Sequence, residues 1–268
     1  MKTLTIRIVA LAIILMAIAG SASHGFAQKQ FEGYWEQDAI RPAMPFNTKS
    51  TTTEKEKTFY KTGKFKIENL TTGLIIIFRF DKEVMWTVDT KKKTYTEMTF
   101  AQMEAMKNSM ASSMQEQMKN MSDEQKQMME KMMGKKFKSM MTGDPADLEI
   151  QVTKTGKSKT LLGYSCDEVL LKLNEEPMME MWITNKFRMG QEYLDLYKKM
   201  GFMKGEYTDE VKKIQGIPLA SKTTIDAGMG KMEVSTTVTK IVEQSVPNSE
   251  FDLPAGLKKT EHPGMNIK

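Results

Sequence analysis

Methionine is the residue type whose number and spacing bear most directly on chemistry in this chain. The stretch from Met98 to Met141 holds 13 of the 26 methionines within 44 residues. At about 100° per residue, eight of them fall on one helical face, and polar residues occupy the opposite face. The eight are Met103, Met106, Met110, Met114, Met118, Met121, Met128 and Met132. The pattern predicts an amphipathic helix, or two stacked helices, with a stripe of thioethers.

A thioether stripe allows several kinds of chemistry. The unbranched side chain fills irregular gaps, so the stripe could be core or a lid over a sheet. It could also bind an acyl chain, a lipidated protein or an apolar segment of a partner, because methionine surfaces adapt to varied ligands. Soft sulfur selects Cu(I) or Ag(I), for which there are two candidate groups: Met103, Met106 and Met110, and Met128, Met129 and Met132. A structural protein could instead use the stripe for assembly.

The remaining reactive residues exclude most enzyme classes. Cys166 is the single cysteine, and it flanks an apolar strand, which favours a buried inert thiol over a nucleophile. The two histidines are His24, near the N-terminus, and His262, in a Pro-Gly tail. Histidine-dependent triads and zinc sites are therefore excluded, and no phosphate-binding or dinucleotide fingerprint is present. We expect no enzymatic activity and no cofactor.

The N-terminus predicts export. Lys2 and Arg7 precede an apolar run at 8–19, and small residues follow at Gly25 and Ala27. This is the order of a secretory signal peptide over residues 1–27, with Ala22 as a second candidate cleavage site. The run is short for a membrane span of roughly 20 residues, so we expect no stable membrane insertion after cleavage. Residues 28–268 then form a single periplasmic domain.

Net charge argues against nucleic acid as a partner. The chain carries +5, and cleavage after residue 27 lowers this to +3 because Lys2 and Arg7 leave. The Lys91–Lys93 run lies at a predicted hairpin turn without interleaved aromatic residues, which is typical of a solvated loop.

The sequence before the methionine stretch predicts short antiparallel strands. Residues 51–60 form an exposed polar strand rich in threonine, and 74–80 form an apolar strand buried on both faces. Val84, Trp86 and Val88 share one face of a later strand. We include Trp86 with the methionine stripe among the ligand-binding candidates.

The helical insert is predicted at residues 100–141. Thr99 is a good N-cap with Gln102 as its capping-box partner, and Ser122 marks a break or kink. After the insert, strands resume, with a turn at 155–158 and a short amphipathic helix near 193–200. A hairpin is predicted over 219–226 and 231–244. The apolar residues of 251–257 are expected to anchor the C-terminal tail by packing against the rest of the domain.

Five short runs, in this order, resemble an exported bacterial family related to lipoprotein-carrier proteins of the LolA, LolB and LppX type. The runs are Phe78–Lys82, Lys93–Met98, Gly163–Cys166, Gly216–Leu219 and Phe251–Gly256. The resemblance implies an α+β fold: a strongly curved antiparallel sheet, or half-barrel, with short helices on its concave side. In those carriers the concavity binds acyl chains. We therefore expect a non-enzymatic carrier for an apolar ligand.

The signal peptide yields a direct prediction. Protein recovered after export should begin at Gln28, because Gly25 and Ala27 supply the small residues that signal peptidase requires. Sequencing of the mature N-terminus measures this. A mature chain that still begins at Met1 would contradict both export by cleavage and the carrier interpretation.

Overall fold

The computed structural model describes residues 30–42, 51–119, 121–122, 124, 150–173, 175–189, 210, 214, 216–226 and 231–261. The first six strands are β1 (Gly33–Arg41), β2 (Thr52–Lys61), β3 (Lys64–Asn69), β4 (Leu74–Arg79), β5 (Val84–Asp89) and β6 (Thr94–Thr99). Helix α1 (Phe100–Lys119) follows them. The later strands are β7 (Ile150–Leu161), β8 (Tyr164–Leu173), β9 (Glu176–Thr184), β10 (Ile217–Asp226), β11 (Lys231–Glu243) and β12 (Lys258–Lys259). Short 3-10 helices occupy Phe80–Lys82 and Asn248–Phe251.

The twelve strands form a single open sheet, in the order β12-β6-β5-β4-β3-β2-β1-β11-β10-β9-β8-β7. Strands β1 to β6 make one antiparallel meander, and β7 to β11 make a second. The two meanders join where β1 pairs with β11, with Tyr34 opposite Val242 and Ile40 opposite Ser235. Only β12, against β6, is parallel among the described pairs of strands. The predicted antiparallel sheet is confirmed, and the described fold is mostly sheet.

The sheet carries apolar side chains on both faces. We call the face with the larger cluster the inner face; it includes Trp35, Tyr60, Phe65, Phe78 and Met85. The smaller cluster defines the outer face and includes Phe59, Ile77, Val84, Trp86 and Phe251. Successive residues of β2 and of β5 fall in different clusters, as the pleat of a strand requires.

A line of aromatic rings crosses the inner face and ends at the helix. Ring centroids are 6.0 Å apart for Trp35 and Phe65, 6.3 Å for Phe65 and Phe78, and 6.4 Å for Phe78 and Phe80. Phe80 then meets Phe100, the first residue of α1, edge-on at 6.1 Å. Aromatic contacts at these separations are favourable, so the line ties the start of α1 to the core of the sheet.

The prediction of an exposed strand at 51–60 is wrong in its second half. Glu56, Thr58, Phe59 and Tyr60 are all buried. Strand β2 lies between β1 and β3, inside the sheet, and both faces of the sheet carry packed side chains there. Its polar composition therefore reflects buried polar groups rather than solvent.

The predicted turn at 155–158 is also wrong. Strand β7 runs through it without interruption, and the register against β8 shifts between Lys154 and Ser158. Gly156 has φ +82°, a conformation that glycine adopts without steric cost. The extra residues are absorbed as a bulge in the ladder, so the chain continues instead of reversing.

Several sequence predictions fall on residues outside the described part of the chain. These are the signal peptide at 1–27, the helix near 193–200 and most of the insert beyond Lys119. Helix α1 covers the first half of the predicted insert, and Ser122, where a break was predicted, lies outside a helix. The predicted hairpin of β10 and β11 is confirmed by their antiparallel pairing.

Residues 244–261, which we call the C-terminal segment, cross the outer face. Phe251 is fully buried there. Lys66 forms an ion pair with Glu250 at 2.8 Å, and Arg79 forms one with Asp252 at 2.7 Å. Lys66 and Arg79 are themselves buried and also pair with Glu68 and Asp81, so the segment adds to the counter-charges that such side chains need. The predicted anchoring of the tail is confirmed.

Glu32 fastens the start of this segment. Its carboxylate accepts a hydrogen bond from the backbone N–H of Val246 at 2.7 Å and lies 3.2 Å from the Lys61 ammonium. The Val246 N–H, helped by Lys61, lowers the pKa of Glu32 below the ordinary glutamate value. A lowered carboxyl pKa adds stability above the ordinary value, and that stability is lost as pH falls through the folded-state pKa.

We predict that Glu32→Gln lowers the free energy of unfolding at neutral pH and that the difference from the parent shrinks in acid. The reason is that the parent's carboxylate becomes protonated below the glutamate range. Denaturant unfolding at about pH 7 and about pH 3 measures the difference. Glu36→Gln removes the same charge from β1 without touching Val246, and serves as the control. A difference for Glu32→Gln that is equal at both pH values would contradict the assignment.

Candidate functional site

Helix α1 begins with a capping box. The backbone N–H of Gln102 donates to the Thr99 hydroxyl at 3.2 Å, and the Gln102 side chain accepts from the Thr99 N–H at 2.8 Å. The Phe100 N–H donates to the carbonyl of Glu83 at 2.9 Å. These bonds satisfy amide groups that have no partner within the helix, so the predicted start of the helix is confirmed.

The first methionines of the stripe lie against the inner face. Met103 is buried in the inner-face cluster, and Met106 is half-buried against it. Met110, Met114 and Met118 lie further along α1 at intervals of four residues, and their side chains are outside the described part. Met121 follows the helix and is half-buried, whereas Met128 and Met132 are outside the described residues.

The sheet contributes its own methionines to this cluster, and these were not among the predicted site residues. They are Met85, Met98, Met179 and Met181, and Met189 joins them from beyond the end of β9; all five are buried. Met179 and Met181 are two residues apart in β9, which places both on one face of the strand. That two-residue spacing is the sequence signal that could have identified them as neighbours on one face. The inner face is therefore lined by thioethers from the strands as well as from the helix.

Trp86 does not join the methionine stripe. It lies in the outer-face cluster, and its neighbour Met85 lies on the inner face. The Trp86 indole N–H donates to Glu97 at 2.9 Å, and the Lys82 ammonium lies 5.7 Å from its ring. Trp86 and the stripe therefore lie on opposite faces of the sheet and cannot line one surface; ligand binding by Trp86 itself stays a prediction.

A polar network lies beside the apolar cluster on the inner face, with Gln37 and Glu56 buried and Arg41 and Glu54 half-buried. The Trp35 indole N–H donates to Gln37 at 3.2 Å, and the Gln37 amide donates to Glu56 at 2.8 Å. Arg41 donates from Nη2 to Glu56 at 2.6 Å and from Nε to Glu54 at 2.8 Å. Trp35 belongs to the apolar cluster, so polar and apolar regions meet at its ring.

The sequence signal for this network was the alternation of Glu54 and Glu56 on β2. Residues two apart share a face of a strand, so both carboxylates point the same way. Asn69 on β3 completes the network, donating to Glu54 at 2.6 Å. Because this strand was predicted to be exposed, the network was missed.

Hydroxyl groups extend the polar region onto the second meander. Ser221 on β10 and Thr236 on β11 are buried and lie 2.9 Å apart through their hydroxyls. Ser221 lies opposite Met181 in the ladder, and Thr223 lies opposite Met179. The hydroxyls therefore border the methionines of β9 directly.

The single cysteine lies in the apolar cluster of the inner face. Cys166 is fully buried, and burial raises the pKa of its thiol above the ordinary value. The predicted burial of the thiol is confirmed, and a raised pKa leaves less of the reactive thiolate at neutral pH. Within the described ranges, no three His, Cys, Asp or Glu side chains come together as a metal-binding group. No helix in the same ranges is long and apolar enough to cross a membrane.

Comparison with known proteins identifies a family. A family model described as Domain of unknown function (DUF4412) matches residues 101–257. No curated protein matches the chain. An uncharacterized conserved protein from Thermus thermophilus is similar in structure at 8% identity, with a TM-score of 0.43 over 86% of this chain and 91% of that one. PNGF-II, in its C2 crystal form, aligns at 10% identity and a TM-score of 0.37 over 86% of this chain and 31% of its own.

We predict that Glu56→Ala destabilises the fold by roughly 2 kcal/mol, because the buried Gln37 amide loses its acceptor and the half-buried Arg41 guanidinium keeps only Glu54. Asp38→Ala, which removes the exposed pair with Lys55, should change stability by no more than about 0.5 kcal/mol. Chemical denaturation measures both. Equal, small effects would mean that the network is exposed in solution.

Proposed function

We propose that this chain, which belongs to the family described as Domain of unknown function (DUF4412), is an exported, non-enzymatic carrier for an apolar ligand. The ligand is an acyl chain, a lipidated protein or an apolar segment of a partner. It binds between the inner face of the sheet and the methionine-rich helix, and the mature protein works in the periplasm.

The observation that carries this proposal is the methionine lining of the inner face. Met103 and Met106 of α1 meet Met85 and Met98 in a single apolar cluster. Leucine in such positions would give better-defined rotamers and firmer packing. Methionine contributed from both helix and strands instead forms a surface that can repack around chains of different shape.

The start of α1 is fastened to the sheet through the capping box, Phe100 and Met103. We propose that the residues from about 100 to 141 close over the inner face and open to admit a ligand.

The fold is compatible with the half-barrel of lipoprotein carriers. A long open antiparallel sheet can curve, and its inner face would become the concavity. Sheet curvature brings side chains from distant strands, such as Met85 of β5 and Met181 of β9, around one ligand. Cu(I) binding by the thioethers is a separate possibility, which native mass spectrometry of protein taken from the periplasm distinguishes by mass from a bound lipid.

We predict that Met106→Glu weakens binding of an apolar probe such as ANS by about tenfold or more, because a carboxylate would have to be desolvated at the contact. Ala105→Glu is the matched control: it adds the same charge one residue away, on an exposed position of α1. Fluorescence titration of the mature protein measures both. Failure of the parent to bind any apolar probe, or equal loss in both variants, would overturn the proposal.

A further inference from the structure

We infer that Met106 is a site of reversible oxidation that controls how firmly α1 holds an apolar ligand against the inner face. An oxidant of the peroxide class would convert its thioether to a sulfoxide. The inference rests on the proposed function and deepens it, because it names the chemical change that releases the ligand.

Burial falls along the side of α1 that meets the sheet. Phe100, Met103 and Met106 recur at intervals of three residues, and all three belong to the inner-face cluster or pack against it. Phe100 is 4% exposed and Met103 is 6% exposed, whereas Met106 is half-buried. Met106 therefore lies where the contact between helix and sheet meets solvent, within reach of a small oxidant.

The neighbours of Met106 differ from it in just this respect. Glu104 and Ala105, which precede it on α1, are exposed and leave that side of the helix open to solvent. Met98, at the end of β6, and Met103 are both buried in the cluster. Oxidation of a thioether depends on its exposure, so Met106 is expected to react before the two buried methionines beside it.

The reaction needs only the thioether and the peroxide. With hydrogen peroxide, a lone pair of sulfur attacks one oxygen, the S–O bond forms and the O–O bond breaks. Sulfur loses two electrons, and the proton of the transferred hydroxyl passes to the departing hydroxide, which leaves as water. The Cys166 thiol does not compete, because it is fully buried and burial raises its pKa. Methionine sulfoxide reductases reverse the modification.

A sulfoxide at this position weakens the contact between α1 and the sheet. Its oxygen is polar, and burying a polar group without a hydrogen-bond donor is unfavourable. The start of the helix is held by groups that peroxide does not attack: the capping box of Thr99 and Gln102, and the Phe100 ring against Phe80. Oxidation therefore acts on the contact at Met106 and leaves the base of α1 attached.

Met178 provides a matched comparison within the sheet. It is also a half-buried methionine that packs against the inner-face cluster. It belongs to β9, however, which is held on both sides by its ladders with β8 and β10. A sulfoxide at Met178 would act on a fixed strand and not on the helix.

The test treats the mature protein with a limited dose of hydrogen peroxide and locates the sulfoxides by peptide mass spectrometry. We expect Met106 to react about tenfold faster than Met103, because Met103 is buried. Titration with ANS before and after treatment measures how firmly an apolar ligand is held. We expect oxidation to raise the dissociation constant about tenfold, and methionine sulfoxide reductases to restore it.

Two variants assign the effect to one residue. Met106→Leu keeps an apolar side chain and a good helix former but has no sulfur to oxidise, so the same peroxide treatment should leave its dissociation constant unchanged. Met178→Leu removes a half-buried methionine from the sheet and should keep the tenfold response of the parent. A response of Met106→Leu equal to that of the parent would assign the effect to other methionines and overturn the inference.

The outcomes separate this inference from the proposed function. If the parent binds ANS and oxidation leaves that binding unchanged, or if Met103 reacts as fast as Met106, the oxidation site is overturned and the apolar carrier stands. If the parent binds no apolar probe, the carrier falls and ligand release by Met106 falls with it. The order of oxidation is measured on the parent protein, so it remains decisive even if a variant does not fold.

Discussion

The pairing of β1 with β11 is the contact on which the rest of the structure depends. Among the described strands, each meander is built from neighbours in sequence, and this ladder joins the two meanders by pairing residues about 200 positions apart. Closing so long a loop is entropically unfavourable, so the ladder needs strong side-chain support. The Trp35 and Val238 side chains provide it on the inner face. Without this ladder the methionines of β5 and β9 would belong to two separate surfaces.

Local features of the fold were predictable from the sequence, and non-local ones were not. Thr99 and Gln102 specified the start of α1, and alternation specified the strands of each meander. The pairing of β1 with β11 could not be predicted, because hydrophobic alternation does not indicate which strands are neighbours in a sheet. The same limit applies to Trp86. Alternation along β5 places its side chain on the same face as Val84, but alternation does not say which face of the sheet that is. In the structure it is the outer face, where Phe251 belongs to the same cluster.

The candidate site shows the same division. Methionines at helical spacing can be recognised in the sequence. The polar network, by contrast, combines residues of β1, β2 and β3 whose sequence patterns predict solvent exposure. Glu54 and Glu56 look like ordinary surface residues until β2 is placed inside the sheet. The buried side chains then require partners, and Arg41 and Gln37 supply them. Composition alone therefore underestimates how polar this interior is.

The position of β1 has a consequence for the order of synthesis. Strand β1 is made early, yet its second neighbour, β11, is made near the end of the chain. Until then, one edge of β1 offers unpaired amide and carbonyl groups, a template for association with other chains. A nascent or truncated chain that stops before Lys231 keeps that edge open. Rapid completion of the chain, or a chaperone that shields the edge, would therefore limit association of newly made protein with other chains.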